Sequence, residues 1–209
     1  MLFTCNRSGL CCTHPNIAVT LTHEDLWSLY QKYSNIEELQ LKIQFLISKK
    51  LSESNSIHSF TLNDEQLVLK LVETNIGFGH FILRKEETNK CTFFNSKTKT
   101  CEIHDSRPQA CKNFPFSFSQ YKEKIIVSWV KNAKKFCSGI GGGKDYSMEQ
   151  LEEVGIKTMA IISEYNSIVD EINKESKYKE SLSPKETLFT LLLVAEKNKE
   201  KFNSKYQIL

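Results

Sequence analysis

The chain has 209 residues, of which 40% are hydrophobic, 11% aromatic and 25% charged; this composition excludes a disordered, collagen-like or coiled-coil chain and predicts one core with a helical appendage. Its 28 Lys and Arg against 25 Asp and Glu leave a formal charge of +3, too small for the electrostatic footprint of a nucleic-acid binder. The longest strongly apolar run, Leu188 to Ala195, is eight residues, short of the ~20 that cross a bilayer, so neither nucleic acid nor a membrane is an expected partner.

The segment Met1 to Arg7 has no apolar h-region, and a cytoplasmic, reducing compartment is expected. Helix-start chemistry follows at Thr22-x-x-Asp25 and Ser34-x-x-Glu37, where a side-chain acceptor precedes free amide groups. Gln66 to Val72 and Gly79 to Leu83 read as strands joined by a turn around Asn75 and Gly77, and Thr92 to Phe94 and Ile125 to Val130 as two more. One small antiparallel sheet is the economical assembly. Ser147-x-x-Gln150 then opens a helix whose apolar residues, from Met148 through Leu151, Val154, Met159, Ile162, Tyr165 and Val169 to Ile172, recur every three to five positions. Ser183-Pro184-x-Glu186 opens another, with Leu188, Leu191, Leu192, Ala195 and Phe202 on its apolar face. The expected class is α+β: N-terminal helices, a small antiparallel sheet with a cysteine-rich metal-binding core, and a C-terminal helical pair. Residues 1–145 are the expected cysteine-cluster domain and 146–209 the helical extension.

Seven cysteines stand at Cys5, Cys11, Cys12, Cys91, Cys101, Cys111 and Cys137. An odd number in a reducing compartment argues against a disulfide framework and for metal or redox chemistry. Cys5, Cys11 and Cys12 share one short loop, which gathers sulfurs at low entropic cost, as zinc and iron–sulfur centres both require. Adjacent Cys11 and Cys12 suit a polynuclear cluster, two neighbouring metals, or a ligand beside a redox thiol better than a single tetrahedral ion. Nine residues separate Cys91 from Cys101 and Cys101 from Cys111, too wide for a zinc-ribbon knuckle; the fold must bring them together.

The run Cys101-Glu102-Ile103-His104-Asp105-Ser106-Arg107-Pro108-Gln109-Ala110-Cys111-Lys112-Asn113-Phe114-Pro115 resembles the C-x-I-[YH]-x-x-R-P-x-x-C-x-x-[FY]-P element of the CxxCxxCC cysteine-cluster family. That is the YkgJ-type zinc- or iron-chelating domain, which includes flagellin lysine-N-methylase and proteins labelled Fe–S oxidoreductases. Phe3 to Cys12 resembles its F-x-C-x-x-C-x-x-C-C element, Ile17 to Asp25 the stretch that follows, Cys91 a further cysteine, and Cys137-Ser138-Gly139-Ile140-Gly141 its late C-x-G-x-G. The resemblance runs from about residue 3 to 145 and implies an iron–sulfur cluster or zinc on the seven cysteines. It also implies a metal-binding protein with an Fe–S oxidoreductase role or a protein lysine N-methyltransferase using S-adenosylmethionine; apart from the resemblance, a third reading is an interaction module in which the metal is structural and the helical tail is the working surface. The partner is then a protein substrate or a redox protein. Ser8 stands where the family has its second cysteine, and a neutral hydroxyl is a poor ligand. Either a coordination position is open there, or the site is decayed or completed by water.

Other residues beside the cysteines carry two readings each. His14 and His104 are ligands or hydrogen-bonded neighbours. Arg107, one of three arginines, offsets thiolate charge, holds a carboxylate, or pairs with Glu102 or Asp105. Phe93, Phe94, Phe114, Phe116 and Phe118 are core or an apolar wall beside the ligands. Gly139 and Gly141 are a turn or a cradle for the ribose or carboxylate of S-adenosylmethionine; the phosphate-loop spacing itself fails, with Ser138 and Asp145 at the defining positions.

Overall fold

The computed structural model describes residues 1–48, 69–122, 124–176 and 181–206, with side chains for all of these except 121, 176 and 199–206. Along the chain come β1 (Leu2–Phe3), α1 (Leu10–Thr13), α2 (His23–Tyr33), α3 (Ile36–Lys42), β2 (Ile43–Ile47), β3 (Val72–Thr74), β4 (Gly77–Leu83), β5 (Phe94–Asn95), β6 (Thr100–Cys101), α4 (Gln109–Asn113), β7 (Phe116–Tyr121), β8 (Lys124–Trp129), a 3-10 turn (Ala133–Lys135), β9 (Lys144–Asp145), α5 (Met148–Ser176) and α6 (Pro184–Tyr206). The class is α+β. Gln66, Leu67 and Val68 of the first expected strand, and the Phe202 side chain, lie outside the described residues.

Among the described residues the strands form four antiparallel sheets rather than one: β1–β9, β2–β4–β3, β5–β6 and β7–β8. β3 is held to α5 by side-chain amides: Glu73 N donates to Asn173 Oδ1 at 2.8 Å, and Asn173 Nδ2 donates to Leu71 O at 2.9 Å. β2 was not foreseen because Ile43 to Ile47 follows α3 with no turn residue between them; it pairs with β4 so that Phe45 faces Phe81. Of Thr92 to Phe94, only Phe94 is in a strand, and its N–H closes a turn onto Cys91 O.

Three of the four helix starts form as read. Asp25 N donates to Thr22 Oγ1 at 3.3 Å and Thr22 N to Asp25 Oδ2 at 3.0 Å. Ser147 with Gln150 and Ser183 with Glu186 make the same reciprocal pair. Ser34 does not cap α3. It ends α2 in the left-handed region at φ 52°, and the next residue, Asn35, accepts from the Glu37 and Glu38 amides.

Among the described residues two apolar clusters form the interior. Leu26 and Leu29 of α2, Phe81 and Leu83 of β4, Tyr165 and Val169 of α5, and Leu188 and Leu191 of α6 pack in the larger. Phe3, Phe116, Phe118, Leu151 and Met159 form the smaller, between the β7–β8 hairpin and the first half of α5. The hairpin reaches α5 over Gly155: a Cβ there would stand 2.5 Å from Ile125 Cγ2 and 2.9 Å from Phe118 Cδ1. Gly155→Val is therefore expected to cost about 1–3 kcal/mol by over-packing, read as a lower urea midpoint. Among the described residues no helix is long and apolar enough to cross a membrane.

Candidate metal centre

All seven cysteines line one cavity of about 790 Å³. Cys11 and Cys12 sit on α1, which starts after Gly9 at φ 74°; a side chain there would lie 2.3 Å from the Phe94 ring, so the turn into the helix requires glycine. Cys91 is attached to this turn by its own amide, which donates to Cys12 O at 2.7 Å. Cys101 ends β6 and pairs with Phe94. Cys111 lies on α4, which is fastened to α2 where Gln109 N donates to Asp25 Oδ1 at 2.8 Å, and to α5 where Asn113 Nδ2 donates to Thr158 Oγ1 at 3.0 Å. Cys5 and Cys137 approach through a third joint: Thr4 N donates to Gly139 O at 3.2 Å and Asn6 Nδ2 to Ser138 Oγ at 2.7 Å.

Three of the cysteines open turns of the same design. In each, the N–H three residues on closes to the cysteine carbonyl: Phe94 to Cys91, His104 to Cys101 and Ile140 to Cys137. The N–H two residues on, from Phe93, Ile103 and Gly139, is directed at the cysteine sulfur. Amide bonds to sulfur stabilise the thiolate, the form that binds metal.

The thiols respond to one another. The Cys11 and Cys12 sulfurs are 4.0 Å apart. The hydrogen bond from the Cys12 thiol holds Cys11 below the usual thiol range, at about 7, with Arg107 assisting, and the same bond together with burial pushes Cys12 up. Burial raises Cys91, Cys101, Cys111 and Cys137. The charge of Cys11 reaches Cys12, Cys91, Cys101, Cys111 and Cys137, whereas Cys5 is felt at Cys137. The seven cysteines line the cavity, but among the described residues no three of their sulfurs lie mutually within 4.8 Å; the three ligand atoms that do are those of His23, Glu24 and Glu164, none of which lines it.

The neighbouring residues divide. Arg107 lines the cavity and pairs with neither Glu102 nor Asp105; its Nε is buried with no partner among the described residues, and its charge favours the Cys11 and Cys101 thiolates. His14 lines the cavity, rests on Phe136 at 4.7 Å and accepts from Asn16 N at 3.3 Å through Nδ1. Phe94, Phe114, Phe116 and Phe118 form part of the wall, whereas Phe93 is buried in the larger core. Gly139 and Gly141 are not among the lining residues, and the space beside Gly139 is taken by Thr4, whose carbonyl oxygen would be 2.0 Å from a Cβ. Lys85, which donates to His14 O and stands near Cys12 and Cys91, was not foreseen; one lysine among many carries no spacing signal.

Asp25, a helix cap in sequence and the end of the Ile17–Asp25 stretch, also anchors the Cys111 helix. Asp25→Ala leaves the Thr22 and Gln109 amides without their acceptor and is expected to cost about 2–4 kcal/mol, measured by urea unfolding. Asp25→Asn, which keeps one acceptor oxygen, should lose less.

Seven soft sulfur donors on one cavity, amide bonds directed at three of them and a guanidinium alongside fit zinc or an iron–sulfur centre, and not an ion that prefers hard oxygen ligands. Fold and site together define a thiol-lined α+β domain suited to chelating a soft metal. The chain belongs to the CxxCxxCC family, described as a "putative zinc- or iron-chelating domain", whose model matches residues 4–138. It is similar to the uncharacterised protein MJ0661 of Methanocaldococcus jannaschii, with 27% identity over 93 residues, 44% of this chain and 48% of that protein. The match thus spans about half the length of that relative. No solved structure matches.

Proposed function

We propose that the seven cysteines hold an iron–sulfur centre and that the protein passes electrons to a redox partner in the reducing cytoplasm. The observation that carries this reading is the gathering of Cys5, Cys11, Cys12, Cys91, Cys101, Cys111 and Cys137 around one cavity. A single tetrahedral zinc uses four ligands; seven thiols, two of them adjacent in sequence, suit a polynuclear centre. When bound, such a centre supplies one-electron transfer. The chain's own contribution is to hold the sulfurs, to lay Arg107 and Lys85 against their negative charge, and to exclude water with Phe94, Phe114, Phe116 and Phe118.

Protein purified without oxygen is expected to contain iron and acid-labile sulfide and to show broad visible absorption that bleaches on reduction. A colourless protein holding zinc alone would overturn the electron-transfer reading and make the thiols a scaffold or Lewis-acid ligands.

A further inference from the structure

We infer that His104 is a metal ligand through Nε2, completing the sulfur set of this particular chain. The inference rests on the metal reading above. It comes from the three turns that open at a cysteine. In a C-x₂-C or C-x₂-H knuckle the second ligand stands three residues after the first. That place is Phe94 after Cys91, Ile140 after Cys137, and His104 after Cys101, so one of the three turns offers a second donor.

The His104 ring is built for the role. It lines the thiol cavity, and its Nε2 is shut off from solvent with no partner among the described residues. Its Nδ1 lies 3.4 Å from Asp105 Oδ1. An Nδ1–H directed at that carboxylate leaves the lone pair on Nε2, the arrangement by which a carboxylate orients a metal-bound histidine. A buried nitrogen without a partner is costly, and a cation on Nε2 removes that cost. His14, the other histidine close to a cysteine, is oriented the opposite way: its Nδ1 accepts from Asn16 N, which puts the proton on Nε2.

The count agrees. Ser8 leaves seven sulfurs, and His104 supplies an eighth donor. An imidazole in place of a thiolate also removes one negative charge, which raises the reduction potential of an iron–sulfur centre.

X-ray absorption at the edge of whichever metal the full-length purified protein holds tests this directly. Wild-type protein should show a nitrogen scatterer beside the sulfur shell, for zinc at about 2.0–2.1 Å against about 2.3 Å, together with the outer-shell signature of an imidazole. His104→Gln should lose that signature with its circular dichroism unchanged. Asp105→Asn, at an exposed position, should keep the signature and weaken metal affinity by about ten-fold; it serves as the probe if His104→Gln does not fold. An all-sulfur shell in the wild type, or an imidazole signature that survives in His104→Gln, would overturn the assignment while leaving the metal reading intact. Protein that binds no stoichiometric metal would sink both.

Discussion

Cys11→Ser is expected to reduce bound metal to a trace and to lower the thermal midpoint to that of chelator-treated wild type. Cys11 lies on α1 with its sulfur 4.0 Å from that of Cys12 and lines the cavity with the other six cysteines. Serine keeps the shape and removes the ligand, because a neutral hydroxyl does not replace a thiolate. The ceiling is large, since thiolate-rich zinc sites in small domains bind with about 10–16 kcal/mol. The two apolar clusters bury many side chains that belong to no cysteine, so the loss is expected to fall below that ceiling. The control is the comparison itself. A variant that melts well below the metal-free wild type has lost packing, and one that retains full metal shows that Cys11 is not a ligand. Cys5→Ser, at an exposed residue on the cavity rim, should lose less.

Gly139→Val is expected to detach the Cys5 segment from the rest. A Cβ at Gly139 would stand 2.0 Å from Thr4 O, 3.0 Å from Thr4 C and 3.2 Å from the Phe3 ring. Backbone cannot yield there as a flexible side chain could, and the bond from Thr4 N to Gly139 O and the pairing of β1 with β9 would go with it. The cost is about 3 kcal/mol or more, at the upper end for over-packing. Timed alkylation with mass spectrometry reads the geometry: Cys5 and Cys137 should react faster than in the wild type, while Cys91, Cys101 and Cys111 keep their protection. Uniform exposure of all seven would mean that the joint at Gly139 supports the whole cavity rather than one side of it.

The four longer helices that start near Thr22, Ser34, Ser147 and Ser183 were legible because their signals are local; α1 and α4 have no side-chain cap to announce them. The capping pairs at Thr22, Ser147 and Ser183 and the long period from Met148 to Ile172 each lie within a few turns of chain. Ser34 was misjudged by one place, because Ser and Asn both suit a helix start and only the backbone conformation assigns which one ends α2. The sheets were less legible. Each strand is two to seven residues long, and which of them pair is decided by what each hairpin packs against, as at Gly155 and Asn173. The cysteines stood out as a group through their motifs, yet the intervals of nine residues gave no hint that Cys91, Cys101 and Cys137 share one turn design. That similarity lies in amide directions, which spacing does not encode. Gly139 is the sharpest contrast. A glycine-rich loop after a cysteine invites a ligand, and here the chain's own Thr4 fills the space.

α5 supplies Leu151 and Met159 to the smaller cluster and Tyr165, Ile168, Val169 and Ile172 to the larger. Its 29 residues make a rod about 43 Å long, rooted at both ends in different interiors. Neither interior can open without stripping part of that rod, so the two should melt as one cooperative unit, and heating should give a single calorimetric peak. Amides near the middle of the rod, from Thr158 to Tyr165, should then be the last to exchange with deuterium, because they become accessible only when the whole molecule opens.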